Sequence, residues 1–111
     1  LMLANEGRLG GEQIVPVEWV NDTRTADAHA ADAFARGEYG ETLPGAHYRN
    51  QCWVIDPNRG VILGVGIFGQ TVYVNLSTQT VIVKLSSQPE PRDLEMFMNS
   101  FAAMDAVSEA L

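Results

Sequence analysis

The second half of the chain consists of short apolar runs that are typical of β-strands. A strand whose two faces differ begins near residue 48, and three runs rich in valine and isoleucine follow at 61–68, 71–76 and 80–86. A polar segment with Pro57 and Gly60 separates the first two strands, and proline and glycine there favour a tight turn. Short turns between β-rich runs predict an antiparallel meander.

The last part of the chain has a helical period instead. Residues 89–93 contain two prolines and two acidic residues, which favour a helix start. After them, large apolar residues recur at intervals of three to four: Leu94, Phe97, Phe101, Met104 and Leu111. We therefore expect a C-terminal helix that packs across the sheet through this stripe.

The first 47 residues are less regular. Residues 1–6 resemble the last turns of a helix that Gly7 closes, and Pro16 suits the first turn of a short helix. Residues 23–44 are rich in Ala, Asp and Gly and predict a long surface loop with a helical turn or two. The chain divides into 1–47, 48–88 and 89–111. Because the first helix lacks its start, we expect the three parts to form a fragment of one larger domain.

Composition excludes several function classes. The 111 residues carry a formal charge of −7 and a single lysine, Lys84, which argues against nucleic acid and anionic membranes. No apolar run of about 18 residues and no signal peptide is visible. The two histidines, His29 and His47, lack a zinc spacing, so neither a metal nor another cofactor is expected. One cysteine excludes an internal disulfide, and a cytoplasmic location fits, with the periplasm still open.

Three glycines lie within six residues, at Gly64, Gly66 and Gly69. Glycine weakens a strand, so it often marks a place where another group approaches the backbone. The segment would then form one wall of a site. The alternative is a twisted or bulged strand without a ligand.

Motifs around these glycines resemble a known superfamily. Gly-Ile-Phe-Gly-Gln at 66–70, with the strands 72–76 and 81–86, is similar to the C-terminal part of the penicillin-recognising, β-lactamase-related serine hydrolases. The closest branch is that of the esterases and 6-aminohexanoate-dimer hydrolases. Residues 3–20 resemble its helix, glycine turn and Pro-x-x-Trp segment, and residues 48–54 resemble its Tyr- and Trp-containing strand.

The resemblance implies a fold and an activity. The fold would be α+β: an antiparallel β-meander packed by a C-terminal helix, as the C-terminal portion of a β-lactamase/transpeptidase-like domain. The activity would be acyl transfer to a serine that an adjacent Ser-x-x-Lys lysine activates. No serine here has a lysine three residues later, so this chain holds no catalytic residue of its own. Tyr48 and Asn50 match the family's Tyr-x-Asn motif by letter, but we assign Tyr48 to a strand.

The same resemblance places a substrate cleft at the glycine segment. Four residues would line it and supply a backbone N–H to an oxyanion hole: Ile67, Phe68, Gly69 and Gln70. In this branch a histidine stands where Phe68 stands. The change suits a neutral amide or ester substrate, although Phe68 as a buried aromatic residue remains an open alternative. The serine, lysine and tyrosine would come from a missing N-terminal part of the same protein.

A second hypothesis gives the chain no chemistry. A meander that lacks its neighbouring strands has an exposed sheet edge, and such an edge tends to pair with another chain. The chain would then be an interaction or assembly module, forming a homo-oligomer or a complex with the remaining part of the protein.

Overall fold

A computed structural model describes all 111 residues as three α-helices and seven β-strands. The helices are α1 (Val17–Arg24), α2 (Ala28–Ala35) and α3 (Leu94–Ala110). The strands are β1 (Arg8–Leu9), β2 (Glu12–Gln13), β3 (His47–Arg49), β4 (Cys52–Asp56), β5 (Val61–Val65), β6 (Thr71–Asn75) and β7 (Thr80–Lys84). Two 3₁₀ turns, Leu3–Asn5 and Ile67–Gly69, complete the regular structure. No helix combines the length and the apolar character that crossing a bilayer requires.

The main sheet is an antiparallel meander in the order β3-β4-β5-β6-β7. Each strand pairs with the next in sequence, because the connections are short turns that reverse the chain. β1 and β2 form a separate two-stranded ribbon. The predicted α+β class is confirmed.

The two faces of the sheet are covered differently. On one face α3 packs through Met104, with Phe97 and Phe101 alongside, against Val61, Leu63 and Tyr73. On the other face the 3₁₀ turn at the start of the chain brings Ala4 against a second cluster, made of Val54, Ile62 and Val74. The helical stripe predicted for residues 94–111 is thus only partly core, since Leu94 and Leu111 are exposed.

Several local boundaries differ from the sequence prediction. The strand expected from residue 48 is two strands, because Asn50 and Gln51 adopt φ of 51° and 63° and reverse the chain. The strand expected over 61–68 ends at Val65, and Phe68 has φ 58° and ψ 27° within the 3₁₀ turn. Left-handed backbone cannot continue a strand, so the last three predicted positions leave the sheet. Tyr48 lies in β3, as predicted.

Candidate functional site

The turn between β5 and β6 lies at a locally open edge of the sheet. β5 pairs with β6 as far as Val65, which lies opposite Thr71. On its other side, β4 pairs with β5 no further than Leu63, which lies opposite Trp53. The main chain beyond Leu63 therefore has a neighbouring strand on one side only.

Gly64 and Gly66 place no side chain over the main chain at this edge. A Cβ at Gly64 would meet only the Val72 side chain, at 3.8 Å, which is ordinary contact. A Cβ at Gly66 would lie 3.0 Å from the Cβ of Gln70, which is tight. The exposed fractions of Ile67 and Phe68 are 62% and 40%. The predicted cleft segment is thus at the surface at Ile67 and Phe68, while Gly69 lies under the carboxamide of Gln88.

Phe68 anchors the turn to the segment that precedes α3. Its N–H donates to the carbonyl of Pro91 at 3.0 Å, and its carbonyl accepts from the N–H of Gln88 at 3.3 Å. A left-handed conformation is costly for a non-glycine residue, and such strain persists only where the surroundings hold it. These two main-chain bonds account for the conformation of Phe68.

Two further contacts hold the end of the turn. The carbonyl of Gly69 accepts a hydrogen bond from Nζ of Lys84 at 3.3 Å. The carboxamide of Gln70 donates to the carbonyl of Ser86, and its Oε1 accepts from the N–H of Ser86 at 3.2 Å. The Gln70 side chain is therefore directed at β7 and its extension, while its Cβ lies beside Gly66.

A depression of about 470 Å³ adjoins the turn on the face that carries α3. Its walls include Val65, Gly66, Ile67, Gly69, Trp53, Lys84, Pro91, Leu94 and Phe97. Arg92 at the rim bonds to Glu38 and to the hydroxyl of Tyr39, and these partners raise its pKa above the ordinary arginine value. Lys84, by contrast, has no carboxylate partner.

Trp53 is the centre of an aromatic cluster that the sequence pattern did not predict. Its ring makes edge contacts with Phe34, Tyr39 and Tyr48, at centroid separations of 6.0, 5.4 and 5.5 Å. The cluster joins α2 and the following loop to the sheet. The available signal was the number of aromatic residues between 34 and 53, within a segment that otherwise resembles a loop.

His47 and Cys52 lie on β3 and β4. His47 is buried, and its Nε2 donates to the carbonyl of Thr23 at 2.9 Å, while Nδ1 has no partner. Burial raises the pKa of the half-buried Cys52 thiol. No group of His, Cys, Asp and Glu residues is arranged to hold a metal ion.

Comparison with known proteins identifies the relatives of this fold. No protein-family model matches the chain. The 6-aminohexanoate-dimer hydrolase of Paenarthrobacter ureafaciens is 31% identical over 90 residues, which are 81% of this chain and 22% of that protein. A solved structure from Bacillus anthracis, provisionally named a 6-aminohexanoate-dimer hydrolase, matches 98% of this chain with a TM-score of 0.73 and 27% identity.

The match covers a small part of each relative, since this chain spans only 22% and 26% of their lengths. The expected resemblance is confirmed in both sequence and fold. The chain belongs to the 6-aminohexanoate-dimer hydrolase branch of the β-lactamase-related serine hydrolases, matching a C-terminal part of them.

Proposed function

We propose that this chain supplies one side of the substrate cleft in a serine hydrolase that cleaves amide or ester bonds. The turn 67–70 would line the cleft, and a main-chain N–H of the turn would stabilise the oxyanion. The nucleophilic serine and its lysine would come from a part of the protein outside this sequence. The observation that carries the proposal is the exposed position of Ile67 and Phe68, in a turn where the main chain beyond Leu63 has a neighbouring strand on one side only.

Hydrogen bonding within the turn narrows the choice of donor. The N–H of Gly66 donates to the carbonyl of Gln70 at 2.9 Å, and the N–H of Phe68 donates to Pro91. Neither can also turn toward a substrate oxygen without losing its partner. An oxyanion donor must be free to point at the position where negative charge develops.

The two further donors, the amides of Gly69 and Gln70, belong to less exposed residues. Gly69 lies under the carboxamide of Gln88, which is 2.5 Å from the position of a Cβ at Gly69, and Gln70 is only partly exposed. Ile67 is 62% exposed, and an amide at the first position of a helical turn has no partner within that turn. We therefore assign the oxyanion donor to Ile67. Removing one such donor typically costs about 3 kcal/mol of transition-state stabilisation.

Phe68 supports a neutral acyl group as the substrate. Its ring is partly exposed beside the assigned donor, and its conformation is fixed by main-chain bonds rather than by burial. An aromatic ring there offers apolar contact and no proton or charge. A linear amide or ester suits such a wall better than a substrate that needs a charged partner at this position.

Proline at residue 67 tests the assignment with little change in structure. Gly66 has φ −113° and ψ 161°, which is the extended conformation that a residue before proline prefers. Proline is also well tolerated at the first position of a helical turn, where no N–H is needed. Ile67→Pro should thus remove the donor and keep the turn, and Ile67→Val is the matched control.

The assay is hydrolysis of p-nitrophenyl esters by the polypeptide that joins this chain to a Ser-x-x-Lys helix. We expect Ile67→Pro to lower kcat by about 100-fold to 1,000-fold. Ile67→Val should stay within a few-fold of the parent. A folded Ile67→Pro variant with unchanged kcat would exclude Ile67 as the donor, and a parent without esterase activity would refute the hydrolase proposal.

The exposed edge strand favours assembly as a second candidate function. β7 is the last strand of the sheet, and apolar side chains near it are exposed, with Val72 at 42%, Val83 at 60% and Leu85 at 84%. An edge of this kind tends to pair with another strand. Sedimentation of the parent and of Val83→Lys tests this assembly function. If the edge pairs, the parent should form a concentration-dependent dimer and Val83→Lys should not. A parent that is monomeric at all concentrations would rule out assembly through this edge.

A further inference from the structure

The main-chain ladder between β6 and β7 ends just before the proposed catalytic turn. Its last paired residues are Thr71 and Lys84. Beyond that point Gln70 gives its own carbonyl to the N–H of Gly66, across the mouth of the turn. By the register of the two strands Ser86 would lie opposite Gly69, but no main-chain hydrogen bond joins them, and the carbonyl of Gly69 accepts from Nζ of Lys84 instead.

The side chain of Gln70 takes the place of that missing partner. Its amide nitrogen donates to the carbonyl of Ser86, and its Oε1 accepts from the N–H of Ser86 at 3.2 Å. A carboxamide has the same donor and acceptor as a peptide group. The Gln70 side chain therefore extends the β6–β7 ladder by one peptide-like unit.

We infer that Gln70 is a positioning residue that orients the Ile67 N–H through this side-chain ladder. The inference rests on the proposed function. The chain of bonds runs from Ser86 to the Gln70 side chain, and from the Gln70 carbonyl to Gly66, whose next residue is Ile67. Gln70 acts through these groups and touches no reacting atom.

Other contacts do not duplicate this role. Pro91, Gln88 and Lys84 bond to Phe68 and Gly69, and none of the three bonds to Gly66 or Ile67. Only Gln70 joins β7's extension to the entry of the turn, where Ile67 begins. Catalytic donors must be held to within about 0.5 Å of their productive position. Greater mobility of the Ile67 N–H should therefore lower kcat.

Gln70→Met is the informative variant, because methionine keeps the length of the side chain and removes its three hydrogen bonds, the two to Ser86 and a long one of 3.5 Å to the carbonyl of Phe68. Gln88→Met is the matched control. Gln88 lies in the same segment and its carboxamide packs against Gly69, but its side chain makes no hydrogen bond. The same Gln→Met change is thus made once at a residue that extends the ladder and once at a residue that does not.

The first measurement is independent of catalysis. Amide hydrogen exchange at Ser86 should be about tenfold faster in Gln70→Met than in the parent, since its acceptor is gone. Exchange at Ser86 in Gln88→Met should match the parent. Unchanged exchange at Ser86 in Gln70→Met would overturn the inference, whether or not the protein is a hydrolase.

The second measurement separates positioning from a purely structural role. With a p-nitrophenyl ester, Gln70→Met should lower kcat by about tenfold to 100-fold and leave KM within about twofold, because the donor acts in the transition state. Faster exchange at Ser86 together with an unchanged kcat would also overturn the inference. If Ile67→Pro retains full activity, the assignment of Ile67 as oxyanion donor is wrong. The exchange rate at Ser86 still tests the Gln70–Ser86 hydrogen bonds in that case.

Discussion

Gly69→Ala is the substitution whose cost follows most directly from the geometry of the turn. Gly69 has φ +83°, and a Cβ there would lie 2.5 Å from Cδ of the Gln88 side chain. The left-handed backbone alone costs an alanine about 1–2 kcal/mol. Displacing the flexible end of Gln88 adds about 0.5–1.5 kcal/mol, the usual cost of moving a side chain off its preferred rotamer.

A matched control separates the two contributions. Gly10 also has a positive φ, +59°, but no atom lies within 4 Å of its Cβ position. Gly10→Ala should therefore show the backbone cost alone. Truncating the obstructing side chain in Gly69→Ala/Gln88→Ala should return the loss at Gly69 to the value seen at Gly10.

Urea denaturation followed by circular dichroism measures these free energies of unfolding. For a slope of about 2 kcal/mol per M, the midpoint should fall by about 0.5–1 M in Gly10→Ala and by a further 0.25–0.75 M, roughly, in Gly69→Ala. Equal losses at the two glycines, or no recovery on truncating Gln88, would refute the packing of the 88–91 segment against the turn.

Two other expectations concern polar contacts between α3 and the sheet, where Asp105 of α3 accepts hydrogen bonds from Arg59 and from the hydroxyl of Tyr73. Tyr73 is fully buried, and its hydroxyl donates to Asp105 at 2.8 Å, so Tyr73→Phe should lower the free energy of unfolding by about 1.5 kcal/mol. Tyr48 is half exposed, so Tyr48→Phe should change the free energy of unfolding by less than about 0.5 kcal/mol. Equal urea midpoints for the two variants would contradict this expectation. Arg59 holds the pKa of Asp56 below its ordinary 3.8, so the ionised carboxylate stabilises the fold above that value and the stabilisation is lost as pH falls below it. Between about pH 5 and pH 3 the melting temperature should fall less steeply in Asp56→Asn than in the parent. The same pH dependence in both proteins would contradict a stabilising role of the ionised Asp56 carboxylate.

Most of the architecture could be predicted from the sequence. The apolar runs of β5 and β6 reflect a sheet that is covered on both faces, and the three-to-four spacing in α3 reflects a helix that packs through one face. The family resemblance rested on glycines and aromatic residues at fixed spacings, and both the related sequence and the related structure confirm it. These signals are local, so a single sequence carries them.

The details of the turn could not be predicted. A phenylalanine in left-handed backbone is held there by Pro91 and Gln88, which lie more than 19 residues further along the chain. The pairing of Gln70 with Ser86 also depends on the register of two strands, and no local pattern encodes it. Both the conformation of Phe68 and the Gln70–Ser86 pairing depend on contacts between residues distant in sequence. The sequence pattern alone favoured a straight strand through Phe68.

The assignment of the Ile67 N–H as oxyanion donor is tested most directly by a trapped tetrahedral adduct. The polypeptide that joins this chain to a Ser-x-x-Lys helix would be inactivated with an alkyl phosphonate ester and its crystal structure determined. We expect a phosphonyl oxygen about 2.7–3.1 Å from the nitrogen of Ile67. An adduct whose oxygens all lie beyond about 4 Å from that nitrogen would contradict it.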